Sequence, residues 1–551
     1  MKKLASILLV ISMFGPMLMA QDLTSRFDAA KMRDRVKTLS ADDMEGRGPG
    51  TAGGSRAAKY IADQMRSNGV MPGNGSSYFQ DVKLIGVKAD PDTTLYASGS
   101  GKDGTSFKFA DDFVATTGAQ TADVEVSSHI IFVGYGINAP EYKWNDYKGD
   151  PERYKGKWLM ILVNDPPATS NEPDLFGGKA LTYYGRWTYK YEEAARHGAA
   201  GVILVHTDRS AGYGWNVVRS SNSSWKYEIE RSAGDKTPFL KVKAWMTESA
   251  SARLLASSAK DLKKLQAAAT KRDFEPEELT TDVTLKLHSK FEHVRSPNVV
   301  GIVKGSDKKL SNEYVVYSAH YDHLGIGEPD ATGDKIYNGA YDNASGVASV
   351  LGVAEMFAKM PKNKRPKRSF LFLITTAEEQ GLLGAEYYSQ NPIIPLNKTA
   401  ADINLDGVNF FGKVSDFVPL GADRSSLIDP INAAAQERNF ELIGDMSPEQ
   451  GFFFRSDHFP FAKVGVPSVN FEHGDKFLKP LTGEPYKFFM NYTAEHYHQA
   501  SDEYHDWWDI DAMIQETEFA AAIGIKVADL SQMPHYKDMD EFSAADKARF
   551  K

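Results

Sequence analysis

The chain has 551 residues, 42% hydrophobic and 25% charged, with a formal net charge of −9. This composition excludes a wholly disordered, collagenous or coiled-coil protein, and the acidic balance gives no sign of nucleic-acid binding. Cysteine is absent, which removes disulfides, thiolate metal sites and cysteine nucleophiles; at roughly 100–200 residues per domain, the length predicts two to four domains, or one large domain carrying an insertion.

In chain order, Lys2 and Lys3 precede an apolar run over 4–20 that ends Leu18-Met19-Ala20. It contains Gly15-Pro16, is short for a membrane span, and reads as a cleaved secretory signal, so the protein is expected to be exported, periplasmic or extracellular. Residues 25–39 and 52–67 are predicted helices; in the second, Ala57, Ala58, Ile61, Ala62 and Met65 recur at helical spacing. Between them lies a glycine-rich run, 45–54. It lacks the Gly-Lys-Ser/Thr ending of a phosphate loop and reads as a turn.

From 109 to 275 the texture changes. Short β-type runs at 129–136, 158–163 and 201–205, a helix over 189–198, and many Tyr, Trp and Gly residues predict a compact inserted module. Residues 256–280 are expected to form a helix and a linker back to the main domain. From about 290, strands (299–303, 314–319, 370–376) alternate with helices (344–360, 381–389). The alternation predicts an α/β domain with a mostly parallel central sheet, whose ligands sit beyond the carboxyl ends of the strands.

The chemistry-bearing residues fall at those ends. His320-Tyr321-Asp322-His323 follows one strand. Asp342-Asn343 precedes a helix, Glu378-Glu379 follows the apolar strand 370–376, and Asp406 follows another strand. His498 lies in Tyr497-His498-Gln499-Ala500-Ser501-Asp502. Imidazole with carboxylate and no sulfur is a donor set for zinc or a similar divalent ion. Carboxylates gathered without a cation raise one another's pKa; two divalent ions would neutralise them. Two ions sharing one carboxylate need two His and about three acids, matched by His320, His498, Asp342, Glu379 and Asp406. Asp322 is then placed to accept the second N–H of a ligand imidazole, and Glu378 to take a proton from water.

These motifs, with Glu45-Gly46-Arg47, Asp342-Asn343-Ala344-Ser345-Gly346, Ala377-Glu378-Glu379 and Asn404-Leu405-Asp406, resemble the M28 family of co-catalytic zinc aminopeptidases. Gly185-Arg186-Trp187 and Ala199-Ala200-Gly201-Val202 resemble protease-associated (PA) domain sequence. The resemblance implies a three-layer α/β/α zinc-peptidase domain, built from 21–108 and 276–551, with a smaller β-rich α/β PA-like insert at 109–275. It implies two Zn²⁺ ions: His320 and Asp406 on one, Glu379 and His498 on the other, Asp342 bridging. It further implies Glu378 as general base and then acid, Asp322 as support for the metals, Tyr497 as a donor to the oxyanion, and peptides with a free N-terminus as substrates.

A glutaminyl cyclase, a carboxypeptidase-type relative and a catalytically dead binding protein on the same scaffold stay open at this point. No Gly-x-Ser-x-Gly elbow or His-Glu-x-x-His helix is present. The loop Ser456-Asp457-His458 is either a pocket border or a packed loop. His323, His473, His496 and His505 receive no role. Glu328, Asp330 and Asp334 read as a solvated loop, and Trp507-Trp508 as an anchor for the C-terminal helix.

Overall fold

The computed structural model describes residues 23–98, 104–211, 214–223 and 225–551; the expected signal segment lies outside them. Among the described residues, no helix is long and apolar enough to cross a membrane.

The strands Ser369–Thr375, Tyr314–His320, Thr399–Leu405 and Ser468–His473 lie side by side and parallel. Their apolar runs are continuous because both faces are covered. Phe370, Phe372 and Ile374 point into a large core shared with the helices Gly346–Lys359 and Ile510–Asp529. Leu371 and Leu373 point the other way, against Tyr388, Phe461 and Val466. The period-two alternation of a strand thus produces the expected three layers around a sheet with a parallel centre. Antiparallel strands extend it on both sides.

The helix Gly346–Lys359 is small and apolar almost throughout, as its place between layers requires. Its exception is Glu355, which accepts from Lys31 (2.6 Å) and Arg35 (2.5 Å) on the helix Ala29–Leu39. Against burial, which raises it, Lys31, Lys359 and Arg35 hold its carboxyl down at about 2.

The last residues of the expected helix-and-linker segment 256–280 and the expected short strand 299–303 both fall in one longer strand, Glu277–Val303. Its second half pairs with Phe79–Ala89 and Ser369–Thr375 of the central sheet. Its first half pairs with Asp123–Phe132 and Thr94–Ser98 in a second sheet. That sheet also holds Trp158–Leu162, Gly201–His206 and Val242–Thr247, all running parallel, and has its own cores on both faces. This body takes strands from outside 109–275 as well. This one strand belongs to both bodies, since alternating apolar residues with polar ones between them satisfy a sheet at both ends.

The glycine-rich run 45–54 is a turn, as expected, but it has a structural duty. Arg47 is completely buried. Its guanidinium donates to the carbonyls of Leu39 (2.6 Å), Tyr321 (2.6 Å), Asn338 (2.5 Å) and Gly339 (2.8 Å). Gly46 beside it is left-handed (φ 61°), and a Cβ there would sit 2.5 Å from the carbonyl oxygens of Gly325 and Tyr337. The N-terminal segment is thereby pinned to the loops that follow His320 and precede Asp342. Replacing Arg47 by Met strips these buried carbonyls of their donor. The expected cost is about 3–5 kcal/mol, read as a lower urea midpoint; a midpoint equal to that of the parent protein would contradict this clamp.

Candidate metal centre

Parallel strands place their carboxyl ends on one edge, and the sequence-predicted residues gather there. His320 ends its strand and is buried. Its Nδ1–H donates to the Asp322 backbone carbonyl at 3.1 Å. That fixes the tautomer and leaves Nε2 facing Asp342 Oδ1 (3.2 Å), Asp406 Oδ1 (3.2 Å) and Glu378 Oε2 (3.9 Å). His498 Nε2 faces Glu379 Oε2 (2.9 Å) and Asp342 Oδ2 (3.4 Å). Asp342 thus offers one oxygen to each imidazole. The donor atoms of His320, Asp342 and Glu379 all lie within 4.8 Å of one another, as do those of His320, Glu378 and Asp406.

This donor set fits divalent zinc: two imidazoles and oxygen ligands in a buried, sulfur-free pocket. The electrostatics agree. The carboxylates overcome burial and pull His320 well above its ordinary range and His498 up to about 10. The site therefore demands positive charge, which a cation supplies while leaving the imidazoles neutral.

Asp322 departs from its expected contact. Its carboxylate is 3.9 Å from His320 Nδ1, and the backbone carbonyl takes that hydrogen bond instead. The carboxylate accepts from the backbone N–H groups of Glu378 (3.0 Å) and Glu379 (3.4 Å). Asp322 therefore aims the two glutamates rather than the imidazole. Burial lifts it to about 6. Burial and the neighbouring carboxylates also push Glu378 well above the usual range, against the pull of His320. In Glu379 the imidazoles of His323 and His498 outweigh burial and hold it at about 2. Both Ala377 (φ 55°) and His498 (φ 59°) are left-handed, local strain of the kind that clusters at functional sites. Tyr497 stacks on His498 with ring centroids 3.9 Å apart and is 46% exposed.

Several residues without an expected role belong to this site. His323 is fully buried and donates from Nδ1 to Glu379 Oε1 at 2.6 Å. Ser456 donates to Asp406 Oδ2 at 2.5 Å and accepts from Asn404 Nδ2 at 2.7 Å. Asp502 accepts from the backbone N–H groups of Tyr341 and Asp342, both at 3.0 Å. Two sequence signals were available: the second histidine of His320-Tyr321-Asp322-His323, and the aspartate closing the motif that starts at Tyr497. The 456–458 loop divides. Ser456 reaches the site, whereas His458 packs edge-on against Phe453 (4.9 Å), its pKa lowered by burial to about 3.

Residues 298–522 match the model of peptidase family M28. Aminopeptidase YwaD of Bacillus subtilis (strain 168) is 30% identical over 229 residues, 40% of this chain and 46% of that protein. Leucine aminopeptidase 2 of Trichophyton equinum is 30% identical over 218 residues, 38% of this chain and 39% of that one. The chain thus spans less than half the length of these curated relatives. The solved aminopeptidase from Aneurinibacillus sp. strain AM-1 aligns over 91% of this chain and 94% of its own, at 20% identity and a TM-score of 0.50, a likeness of fold. The part of the chain that carries the histidine–carboxylate cluster is a peptidase family M28 domain.

Proposed function

We propose that the protein is a zinc-dependent aminopeptidase that releases N-terminal residues from peptides. The observation that carries this reading is Asp342, whose two oxygens face two different imidazoles. In this reading His320 and Asp406 would hold one zinc and Glu379 and His498 a second, with Asp342 placed to serve either. When bound, such a pair supplies Lewis acidity, lowering the pKa of a water and polarising a carbonyl. Glu378 takes a proton from the attacking water and returns it to the leaving amine. Its pKa is raised by burial and answers to nearby charge, which suits a group that both accepts and donates. Tyr497 donates its hydroxyl hydrogen bond to the carbonyl oxygen as that oxygen gains charge. The named relatives are aminopeptidases, which favours a substrate with a free N-terminus.

The basic and apolar start of the sequence supports export to the periplasm or beyond. The β-rich body with its own cores is read as PA-like.

The direct test is release of the N-terminal residue from an aminoacyl anilide, lost with a chelator and restored by zinc. Glu378→Gln is expected to keep its zinc and lose about 10²–10⁴-fold in kcat; near-normal turnover with zinc retained removes Glu378 from this role. Ser456→Ala frees one Asp406 oxygen from its donor. Zinc affinity, measured by chelator competition, is expected to fall about tenfold, and an unchanged affinity refutes the orienting role of Ser456.

A further inference from the structure

A cleft of about 560 Å³ runs between the two bodies. One wall is catalytic: Glu378, Glu379, Tyr497 and His498 line it. The other wall comes from the insert and includes Trp187, Tyr227, Arg231 and Phe239. The volume exceeds what one amino-acid side chain fills and lies within the range of sites that enclose a ligand of several residues' size, about 300–1,000 Å³.

Phe239 is 47% exposed, an aromatic ring left in solvent inside a cleft. Its support is built. The Arg231 guanidinium lies over the ring at 4.2 Å. It is tied down by the Thr237 carbonyl (2.8 Å) and Asp235 (3.2 Å). The Arg231 backbone N–H donates to Gln120 Oε1 at 2.9 Å. Trp187 opens the helix Trp187–Arg196, with Lys226 Nζ 5.2 Å over its ring. A large ring held in place costs little entropy when it binds.

The wall is also braced on the catalytic body. The Leu181 N–H donates to the Pro448 carbonyl at 2.9 Å, and the Tyr183 N–H to Glu541 at 3.2 Å. Lys463 bridges Glu192 of the insert (2.9 Å) and Glu386 (3.4 Å). The strand Lys226–Ile229 pairs with Phe79–Ala89 of the central sheet. The cleft meets the catalytic wall at Glu378, Glu379, Tyr497 and His498. An aminopeptidase has a single residue on the amino side of the scissile bond, so a cleft larger than one side chain that starts at this wall has room for the leaving peptide.

We infer that the insert wall is a binding subsite for the leaving peptide, with the Arg231–Phe239 platform taking an apolar or aromatic side chain, so that the substrate class is extended peptides rather than single-residue amides. This rests on the aminopeptidase reading.

The test uses the full-length zinc enzyme with an amino-acid amide and a hexapeptide sharing its N-terminal residue, the hexapeptide carrying aromatic residues downstream. In Phe239→Ala the ratio of kcat/KM for hexapeptide to amide is expected to fall about tenfold, the cost of one lost aromatic contact, through KM. Phe239→Tyr, which keeps the ring, is expected to hold the ratio. Calorimetric binding of the pentapeptide product to the zinc-free protein is expected to weaken about tenfold in the alanine variant. Phe239 is half in solvent, so its removal leaves the core intact, and a melting curve verifies this. A ratio and a product affinity within about twofold of the parent overturn the inference while the aminopeptidase reading stands. A parent protein that releases no N-terminal residue from either substrate overturns both.

Discussion

Asp342 faces His320 with one oxygen and His498 with the other, at 3.2 and 3.4 Å, and most of the site is built to hold it there. Asp502, 160 positions away in the chain, accepts from its backbone N–H and from that of Tyr341. Arg47, from the N-terminal segment, donates to the carbonyls of Asn338 and Gly339 just upstream. Gly339 is left-handed (φ 55°), and a Cβ there would lie 2.3 Å from the Asp342 carbonyl oxygen. Both ends of the domain therefore converge on one carboxylate. A shared carboxylate is useful only if neither oxygen can drift by about half an ångström, and these four backbone hydrogen bonds restrain the segment that carries it.

The acids around it separate into two kinds. Asp342 and Glu379 touch imidazoles and, despite burial, are held below the usual carboxylate range. Asp322, Asp402, Asp457 and Glu378 are buried with weaker compensation and are pushed up, Asp322 to about 6 and Asp457 to about 7. The first kind is suited to holding cations. The second is able to keep a proton and donate it. Ser318 Oγ lies 2.9 Å from Asp402 Oδ1 and 2.8 Å from Asn404 Oδ1, and its one hydroxyl proton serves only one of them. The Asn404 amide donates to Ser456, which donates to Asp406. A buried acid is thus linked through hydrogen bonds to a candidate metal ligand.

The residues placed at strand ends by the sequence do meet at one edge of the sheet, and the reason is physical. Apolar runs such as 370–376 announce strands buried on both faces, and parallel strands deliver whatever follows them to one side. What escaped the sequence reading were contacts made by ordinary residue types. Ser456 carries no signature beyond polarity, and its partner lies 50 positions away; Asp502 closes a recognisable motif, but its partner lies 160 positions away. The role of Asp322 shifted because a backbone carbonyl competes with a carboxylate for the same imidazole N–H, and local geometry decides between them. The strand Glu277–Val303 was hidden for a different reason: polar residues on its exposed side dilute the apolar alternation, and Pro297 lies within it, suggesting a break where the ladder continues.

That strand also bears on what an insert can do. A body joined by flexible linkers moves as a lid, and its contacts with substrate must be re-formed at each closure. Here a single strand belongs to both sheets, and Lys463 between Glu192 and Glu386 ties the bodies again at the cleft. Burial lowers the pKa of that lysine, but the flanking carboxylates raise it well above its usual range, which favours the charged form of the lysine. Arg424 makes a second tie through Glu541 (2.5 Å), whose other oxygen accepts from Tyr183 of the insert. With the relative position of the walls set by folding, the ordering cost of the cleft is met before substrate arrives. In the aminopeptidase reading, a wall so fixed discriminates among peptides by fit.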